Sequence, residues 1–193
     1  MPLLDTNSKK IILASQSPRR IELLKKIIAE FVVHPSHIDE TIHLSDPGSY
    51  VRDISRQKVM EVAPEYENGV IIGADSVVVL QNRILGKPLD RNEAIEMLSF
   101  LSGNTHEVYT GYTILDIETE NIIVDHDITK VIFRLLSIDE IERYVDVAEP
   151  FDKAGSYGIQ DESAVFVERI EGCFYNVMGL PVTKIYSSLR HVL

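Results

Sequence analysis

The first third of the chain alternates between two patterns of apolar residues. Short continuous apolar runs predict buried strands over residues 10–15, 31–34 and 69–80. Between these runs, apolar residues at helical spacing predict one helix from Ser17 to about Glu30 and another over about 49–63. Strands that alternate with helices in this way are typical of an α/β sheet.

The remainder of the chain mixes hairpins with helices. A turn at 81–83 predicts a short returning strand, and two alternating segments predict antiparallel strands over 105–118 and 121–136. The segments AVFVERI (164–170) and CFYNVMG (173–179) predict two more strands. The fold class that follows is α/β, with a mixed twisted sheet flanked by helices.

Local capping signals predict where the helices in this part begin and end. Asp90 with Glu93, and Ser137 with Glu140, have capping-box spacing. Gly103 is expected to end the first of these two helices, and the second is expected to reach about Val147. Pro181 is expected to open the last helix of the chain.

Length, cysteine content and charge restrict the class of protein. The 193 residues suit a single domain, residues 1–193, and one cysteine allows no intrachain disulfide. No secretory leader or membrane-length apolar run is evident, so a cytoplasmic location is expected. The net charge of −11 opposes binding to nucleic acid, because such binding needs a basic surface.

The stretch ASQSPRR (14–20) places basic residues where a helix is predicted to start. Arginines at a helix N-terminus are unfavourable unless an anion is bound, because the helix dipole makes that end positive. A strand, a polar turn and a helix N-terminus form a geometry that binds phosphate. We therefore treat Ser15, Ser17, Arg19 and Arg20 as candidate phosphate ligands. In the alternative reading, Ser17 merely caps the helix and both arginines are solvated.

Asp75 lies within the apolar strand sequence IIGADSVVV. A carboxylate in a buried strand needs a metal, a basic partner or an exposed strand end. Gly73 and Ala74 leave room for something bulky beside it. Lys87, in LGKP, is expected nearby if 76–86 form a hairpin. A buried hydrogen-bonding role for Asp75 is the alternative.

Other polar residues complete the set of candidates. The acidic pair Asp39 and Glu40 has ligand chemistry that suits Mg²⁺, although a solvated loop is the favoured interpretation when the neighbouring motifs are left aside. Lys153 and Gln160 lie in the polar segment 149–163, which is predicted to be a functional loop. No histidine has zinc-site spacing, and the chain contains neither a Walker motif nor a GxSxG elbow.

Seven motifs taken together resemble the Maf family of nucleoside triphosphate pyrophosphatases, in that family's order and over nearly the whole chain. They are ASQSPRR (14–20), DE (39–40), QK (57–58), IGADSVV (72–78), LGKP (85–88), DKAGSYGIQ (152–160) and NVMGLP (176–181). The resemblance implies an elongated, two-lobed fold similar to that of inosine triphosphatases, with a central cleft. It also implies hydrolysis of a nucleoside triphosphate to the monophosphate and pyrophosphate, a divalent metal, and a homodimer.

The resemblance also implies residue roles. Asp75 corresponds to the presumed general base, and Arg19, Ser76 and Gln160 correspond to residues associated with specificity. The GIQ form is similar to the branch that acts on dTTP and UTP.

Charge considerations extend these assignments. Arg20, Lys58 and Lys87, together with the Ser15–Ser17 turn, are expected to neutralise phosphates. Glu40 and Asp75 are expected to hold Mg²⁺ or Mn²⁺.

Two positions depart from the family pattern. Asp161 stands where members often have glycine, which questions a tight backbone approach there. Thr129-Lys130 stands where many members have Thr-Glu.

Two other functions remain open at this point: a pyrophosphatase for other modified nucleotides, and a nucleotide-binding regulator of cell division with weak hydrolysis.

Overall fold

A mixed sheet with helices packed around it forms the computed structural model, which describes residues 3–6, 9–40 and 46–193. Within these ranges the strands are β1 (Ile11–Leu13), β2 (Val32–Val33), β3 (Val70–Leu80), β4 (Arg83–Leu85), β5 (Thr105–Asp116), β6 (Asn121–Phe133) and β7 (Val167–Glu171). The α-helices are α1 (Pro18–Lys25), α2 (Pro47–Val62), α3 (Arg91–Leu101), α4 (Ile138–Ala148), α5 (Phe174–Met178) and α6 (Val182–Leu189).

The described strands join in the order β2-β1-β3-β5-β6-β7, and β4 pairs with β3. β1 runs parallel to both β2 and β3, whereas the β3–β4 and β6–β7 pairs are antiparallel. The register places Leu13, the last residue of β1, beside Ile72 of β3. The mixed sheet confirms the α/β fold class.

The chain divides into two compact units. The first comprises residues up to Asp75 with Thr110–Asp127 and Gly179–Leu193, and the second comprises Ser76–Tyr109 with Ile128–Met178. In the first unit, β1, the residue after it, β3 and α2 contribute buried residues to one cluster: Ile12, Ala14, Val59, Val62 and Ile71. The expectations of a single domain, an elongated shape and a central cleft stay predictions.

Capping interactions fix two helix starts in the predicted places. Ser137 and Glu140 form the reciprocal capping box at α4. At α3, Asp90 accepts a hydrogen bond from the backbone N–H of Glu93, whereas the Glu93 carboxylate accepts one from Leu89 N–H. The predicted box at α3 is therefore half right. The first helix also ends earlier than predicted, at Lys25 instead of about Glu30.

The predicted strand CFYNVMG is wrong, because residues 174–178 form helix α5. A buried polar network overrides the strand preference of these aromatic and branched residues. Asn176 is completely buried and donates hydrogen bonds to the Val108 carbonyl and the Thr129 hydroxyl. The Thr129 hydroxyl also accepts from Cys173 N–H, which holds the start of the segment.

The predicted strand AVFVERI is right only in its second half. Residues 162–166 form a 3₁₀ turn, and β7 begins at Val167.

Within the described ranges, no helix combines the length and the apolar character needed to cross a membrane.

An aromatic cluster in the second unit encloses His106, which is 1% exposed. Its ring meets Phe133 and Tyr157 edge to face, with centroids 4.8 and 5.4 Å away. Its Nε2 lies 2.8 Å from the Tyr157 hydroxyl. Burial lowers the pKa of His106 to about 3, so the imidazole is neutral in the folded protein at neutral pH.

We expect this histidine to make folding stability fall in mild acid. The unfolded chain takes up a proton below the ordinary pKa of 6.5, whereas folded His106 does not until about pH 3. Between pH 7 and 5 this difference lowers the free energy of unfolding by about 2 kcal/mol. Denaturant titrations should show that His106→Gln removes this component and that exposed His37→Gln keeps it. Equal pH slopes for His106→Gln and the parent would contradict the assignment.

Candidate active site

The turn between β1 and α1 presents the polar residues of ASQSPRR at the carboxyl end of a parallel strand. Ligands of α/β sheets bind outside the carboxyl ends of such strands. Pro18 opens α1, and Ser17 occupies the N-cap position without a capping hydrogen bond from its side chain. Instead, Ser17 N–H is 3.3 Å from the hydroxyl oxygen of Ser15, which is 6% exposed. Ser17 therefore stands at the predicted N-cap position, but its side chain makes no capping hydrogen bond.

Arg20 is held in place by the main chain of a distant motif. Its Nε donates to the Gly179 carbonyl at 2.9 Å, and its guanidinium also contacts the Ser15 hydroxyl at 3.4 Å. Burial lowers the pKa of Arg20, while the charges of Asp75 and Glu40 raise it. The charges of both carboxylates therefore reach Arg20. The motif NVMGLP thus contributes a carbonyl that orients a basic side chain.

Lys58 joins the two carboxylates that sequence reasoning assigned to a metal. Its Nζ lies 2.7 Å from Glu40 Oε1 and 2.8 Å from Asp75 Oδ1. The Lys58 side chain is 5% exposed and that of Asp75 is 8% exposed. The basic partner that a buried carboxylate in β3 requires is therefore Lys58 of α2.

Close packing of α2 on β3 makes this ion pair possible. A Cβ atom at Gly73 would lie 2.8 Å from the Ser55 carbonyl and 2.7 Å from Val59 Cγ2, both in α2. Gly111 of β5 is similarly crowded by the Val51 backbone. The space predicted beside Gly73 is thus filled by the helix that carries Lys58.

Tyr50 of α2 completes the surroundings of the carboxylates and was missed by sequence reasoning. Its hydroxyl donates to the Glu40 carbonyl at 2.7 Å, and the residue is 2% exposed. Burial and the charges of Asp75, Glu40 and Asp39 raise the pKa of Tyr50. Its position as the fourth residue of α2 carried no motif that could have identified it.

The charges of this cluster are balanced before any ligand binds. Three basic residues (Arg19, Arg20 and Lys58) accompany three acidic residues (Asp39, Glu40 and Asp75). Binding of a polyphosphate would leave the cluster strongly negative unless a cation accompanied it.

The donor chemistry suits a divalent cation. Glu40 and Asp75 direct oxygens to one point, at present the Lys58 ammonium. No group of three or more His, Cys, Asp or Glu residues with metal-binding geometry occurs in the described part of the chain. Mg²⁺ does not need such a cage, because one or two carboxylates plus substrate phosphates commonly hold it. The residues therefore fit the expected ion.

The second unit contains the remaining candidates. Ser76 follows Asp75 in β3 and is half-buried, whereas Lys87 follows β4 and is exposed. Gly155 N–H donates to the Gly86 carbonyl at 3.0 Å, which ties the DKAGSYGIQ segment to LGKP. Gly155 has a φ of +67°, and a Cβ there would lie 2.9 Å from Val78. The LGKP motif, the DKAGSYGIQ motif and strand β3 thus meet at Gly155.

Lys153 and Gln160 flank Gly158 in the same segment. Lys153 Nζ lies 2.8 Å from Asp152 and 3.7 Å from Asp161. The Gln160 Oε1 atom is buried and has no hydrogen-bond partner among the described residues. Such an atom can accept a hydrogen bond from a ligand.

The two departures from the family pattern have structural explanations. Asp161 has an extended backbone, with φ −99° and ψ −162°, which any residue adopts, so the conformation there does not require glycine. Thr129 holds the start of α5, whereas Lys130 is exposed and pairs in register with Glu171 of β7.

Comparisons with known proteins agree with these observations. The chain matches the family model described as Maf-like protein over residues 10–192. It is 49% identical over 181 residues to a protein named dTTP/UTP pyrophosphatase from Carboxydothermus hydrogenoformans, a match that covers 94% of this chain and 97% of the relative. Proteins of the same name from Clostridium perfringens and Desulforamulus reducens are 48% and 45% identical, over 94% of this chain and 96% of each relative.

The close approach at Gly73 gives a test of how the site is built. We expect Gly73→Ala to lower the free energy of unfolding by about 1–3 kcal/mol, because the added methyl group overpacks the β3–α2 contact. Urea denaturation measures this loss. In a Val59→Ala background the same Gly73→Ala change should cost less, since one of the two close contacts is then absent. The reference is Val59→Ala itself, because that change alone removes buried core volume. Parental stability in the single variant would show that α2 is not confined by this glycine.

Proposed function

Because the chain belongs to the Maf family, we propose that it hydrolyses nucleoside triphosphates, dTTP and UTP foremost, to the monophosphate and pyrophosphate. The observation that carries this proposal is the nearly buried Asp75 carboxylate, which shares Lys58 with Glu40 and whose charge acts on Arg20. A protein that only bound nucleotides would need the basic residues but no carboxylate beside the scissile bond.

Binding of the triphosphate is assigned to the basic residues and the β1–α1 turn. Phosphoryl transfer requires positioning and charge neutralisation more than covalent chemistry from the protein. Arg20, oriented by the Gly179 carbonyl, neutralises phosphate oxygens together with Lys58. Lys87 and Lys153 are proposed to do the same from their loops, and Ser15 and Ser17 donate hydrogen bonds from the turn.

The hydrolytic step is attack of water on the α-phosphorus. A bond forms between the water oxygen and this phosphorus, and the bond from the α-phosphorus to the α–β bridging oxygen breaks. Asp75 orients the water and accepts its proton, while pyrophosphate leaves with the bridging oxygen.

A divalent cation is part of the proposal, as Mg²⁺ or Mn²⁺ held by Glu40 and Asp75. When bound, the ion supplies charge neutralisation and makes the attacking water more acidic. This contribution matters because an ionised carboxylate by itself is a weak base. Lys58 is the group that must yield one or both carboxylates for the ion to bind.

Selection of the nucleotide is assigned to three residues by resemblance to the family. Arg19, Ser76 and Gln160 are proposed to recognise the nucleoside. The buried Oε1 of Gln160, with no hydrogen-bond partner among the described residues, supports this role, because its amide can both donate to and accept from a pyrimidine edge.

A homodimer in the cytoplasm also remains part of the proposal, and light scattering measures the oligomeric state.

Pyrophosphate release across a panel of triphosphates tests the function. The panel contains dTTP, UTP, the other common nucleotides and modified ones such as inosine triphosphate, each with Mg²⁺ and with Mn²⁺. We expect the greatest kcat/KM for dTTP and UTP and no turnover after chelation. Preference for a modified nucleotide would instead favour a pyrophosphatase that removes modified nucleotides. Binding without pyrophosphate release would favour a regulator.

We expect Asp75→Asn to lower kcat by about 10²–10⁴, as for loss of a general base. Asp116→Asn is a matched control, since Asp116 is also a buried carboxylate in the first unit and lies 2.8 Å from a lysine, Lys9. The control should lose stability but keep its kcat. Near-normal turnover in Asp75→Asn, measured by pyrophosphate release, would remove Asp75 from the mechanism.

Gln160→Glu tests pyrimidine recognition. The change replaces an amide donor with a carboxylate, so kcat/KM for UTP should fall relative to that for GTP. Gln81→Glu adds the same charge to an exposed turn of the second unit and should leave the ratio unchanged. An unaltered UTP-to-GTP ratio in Gln160→Glu would count against the assigned role.

A further inference from the structure

Helix α2 holds Glu40 at two separate atoms. The Tyr50 hydroxyl donates to the main-chain carbonyl of Glu40 at 2.7 Å, and Lys58 Nζ contacts its side-chain Oε1 at 2.7 Å. Tyr50 and Lys58 are eight residues apart in this helix, so they lie about two turns from each other along the axis and about 80° apart around it. One rigid element therefore fixes both the backbone and the carboxylate of Glu40.

The two attachments have different consequences for the Glu40 carboxylate. The carbonyl contact of Tyr50 does not involve the carboxylate, so it persists when the carboxylate changes partner. The Glu40 side chain is 36% exposed, compared with 8% for Asp75 and 5% for Lys58. Glu40 is thus the member of the trio with the most freedom to exchange Lys58 for an incoming cation.

The surroundings of Tyr50 indicate that its hydroxyl group matters, and not only the volume of its ring. The residue is 2% exposed, and the charges of Asp75, Glu40 and Asp39 act on its hydroxyl group. A phenylalanine would fill the same volume, so packing alone does not require the hydroxyl group. What the hydroxyl adds is the hydrogen bond to the main chain at Glu40.

We propose that Tyr50 is a positioning residue whose hydroxyl fixes the main chain at Glu40, so that the Glu40 carboxylate is placed beside Asp75 to receive a divalent cation. The inference rests on the proposed function, because it assigns Tyr50 a part in assembling that same site. Tyr50 itself contacts neither the cation nor the nucleotide. Without its hydroxyl, Glu40 has to be ordered by the cation itself, which weakens cation binding.

The test compares Mn²⁺ binding by Tyr50→Phe and the parent. Binding of Mn²⁺ alone, followed by electron paramagnetic resonance, should show a dissociation constant about 3- to 10-fold higher in the variant, as expected for loss of one hydrogen bond. The Mn²⁺ concentration for half-maximal pyrophosphate release should rise by a similar factor. At saturating Mn²⁺ the kcat should approach that of the parent, which a global structural defect would not allow.

Tyr112→Phe is the matched control. Tyr112 is a 2% exposed tyrosine of the first unit whose hydroxyl lies 3.2 Å from the Ser188 hydroxyl. The control should lose stability by a similar amount and keep the Mn²⁺ affinity of the parent. Equal Mn²⁺ affinities for Tyr50→Phe and Tyr112→Phe would overturn the proposal.

Failure of the inference can be distinguished from failure of the proposed function. A parent protein that binds no Mn²⁺ would overturn the inference even if it hydrolyses nucleotides, because Glu40 would then have no cation to receive. Weaker Mn²⁺ binding in Tyr50→Phe, with no pyrophosphate released from any nucleotide by the parent, would support the inference and refute the proposed function.

Discussion

The ammonium group of Lys58 is the interaction on which the candidate active site depends. It is nearly buried and lies within 2.8 Å of both Glu40 and Asp75, so it neutralises two carboxylates that would otherwise repel each other. Removal of one member of such a buried ionic group leaves an uncompensated charge, which is far more costly than loss of a surface ion pair. The position of Lys58 depends in turn on the approach of α2 to β3, which only glycine at position 73 permits.

This arrangement connects the packing of the first unit with its proposed chemistry. The same helix that buries Val59 and Val62 in the core directs Tyr50 and Lys58 to the segment at Glu40. A charge-balanced cluster can persist without ligand, and a divalent cation offsets part of the negative charge that a polyphosphate adds. The acidic and basic groups are therefore in place before binding, and the change required is that Lys58 releases a carboxylate to the cation.

Sequence patterns identified the β1–α1 turn, β3 and the capping box of α4 because each depends on neighbouring residues in the chain. They failed at residues 174–178, where local preference favoured a strand. There Asn176 reaches Val108 and Thr129, which are 68 and 47 residues away, and the buried hydrogen bonds require a helix. The end of the first helix was also misplaced, since apolar spacing continued past Lys25 although the helix did not.

The sequence by itself determined the α/β class, the family and the chemical types of the candidate residues, because these follow from periodicity, composition and motif order. It indicated that Asp75 needs a partner, since a carboxylate is unstable in a buried strand. Only the tertiary structure decided that the partner is Lys58, that Gly179 orients Arg20, and that Tyr50 holds Glu40. These contacts join residues 10 to 159 positions apart, and their geometry is set by the packing of α2 against the sheet and by the path of the chain after α5, which no local pattern encodes.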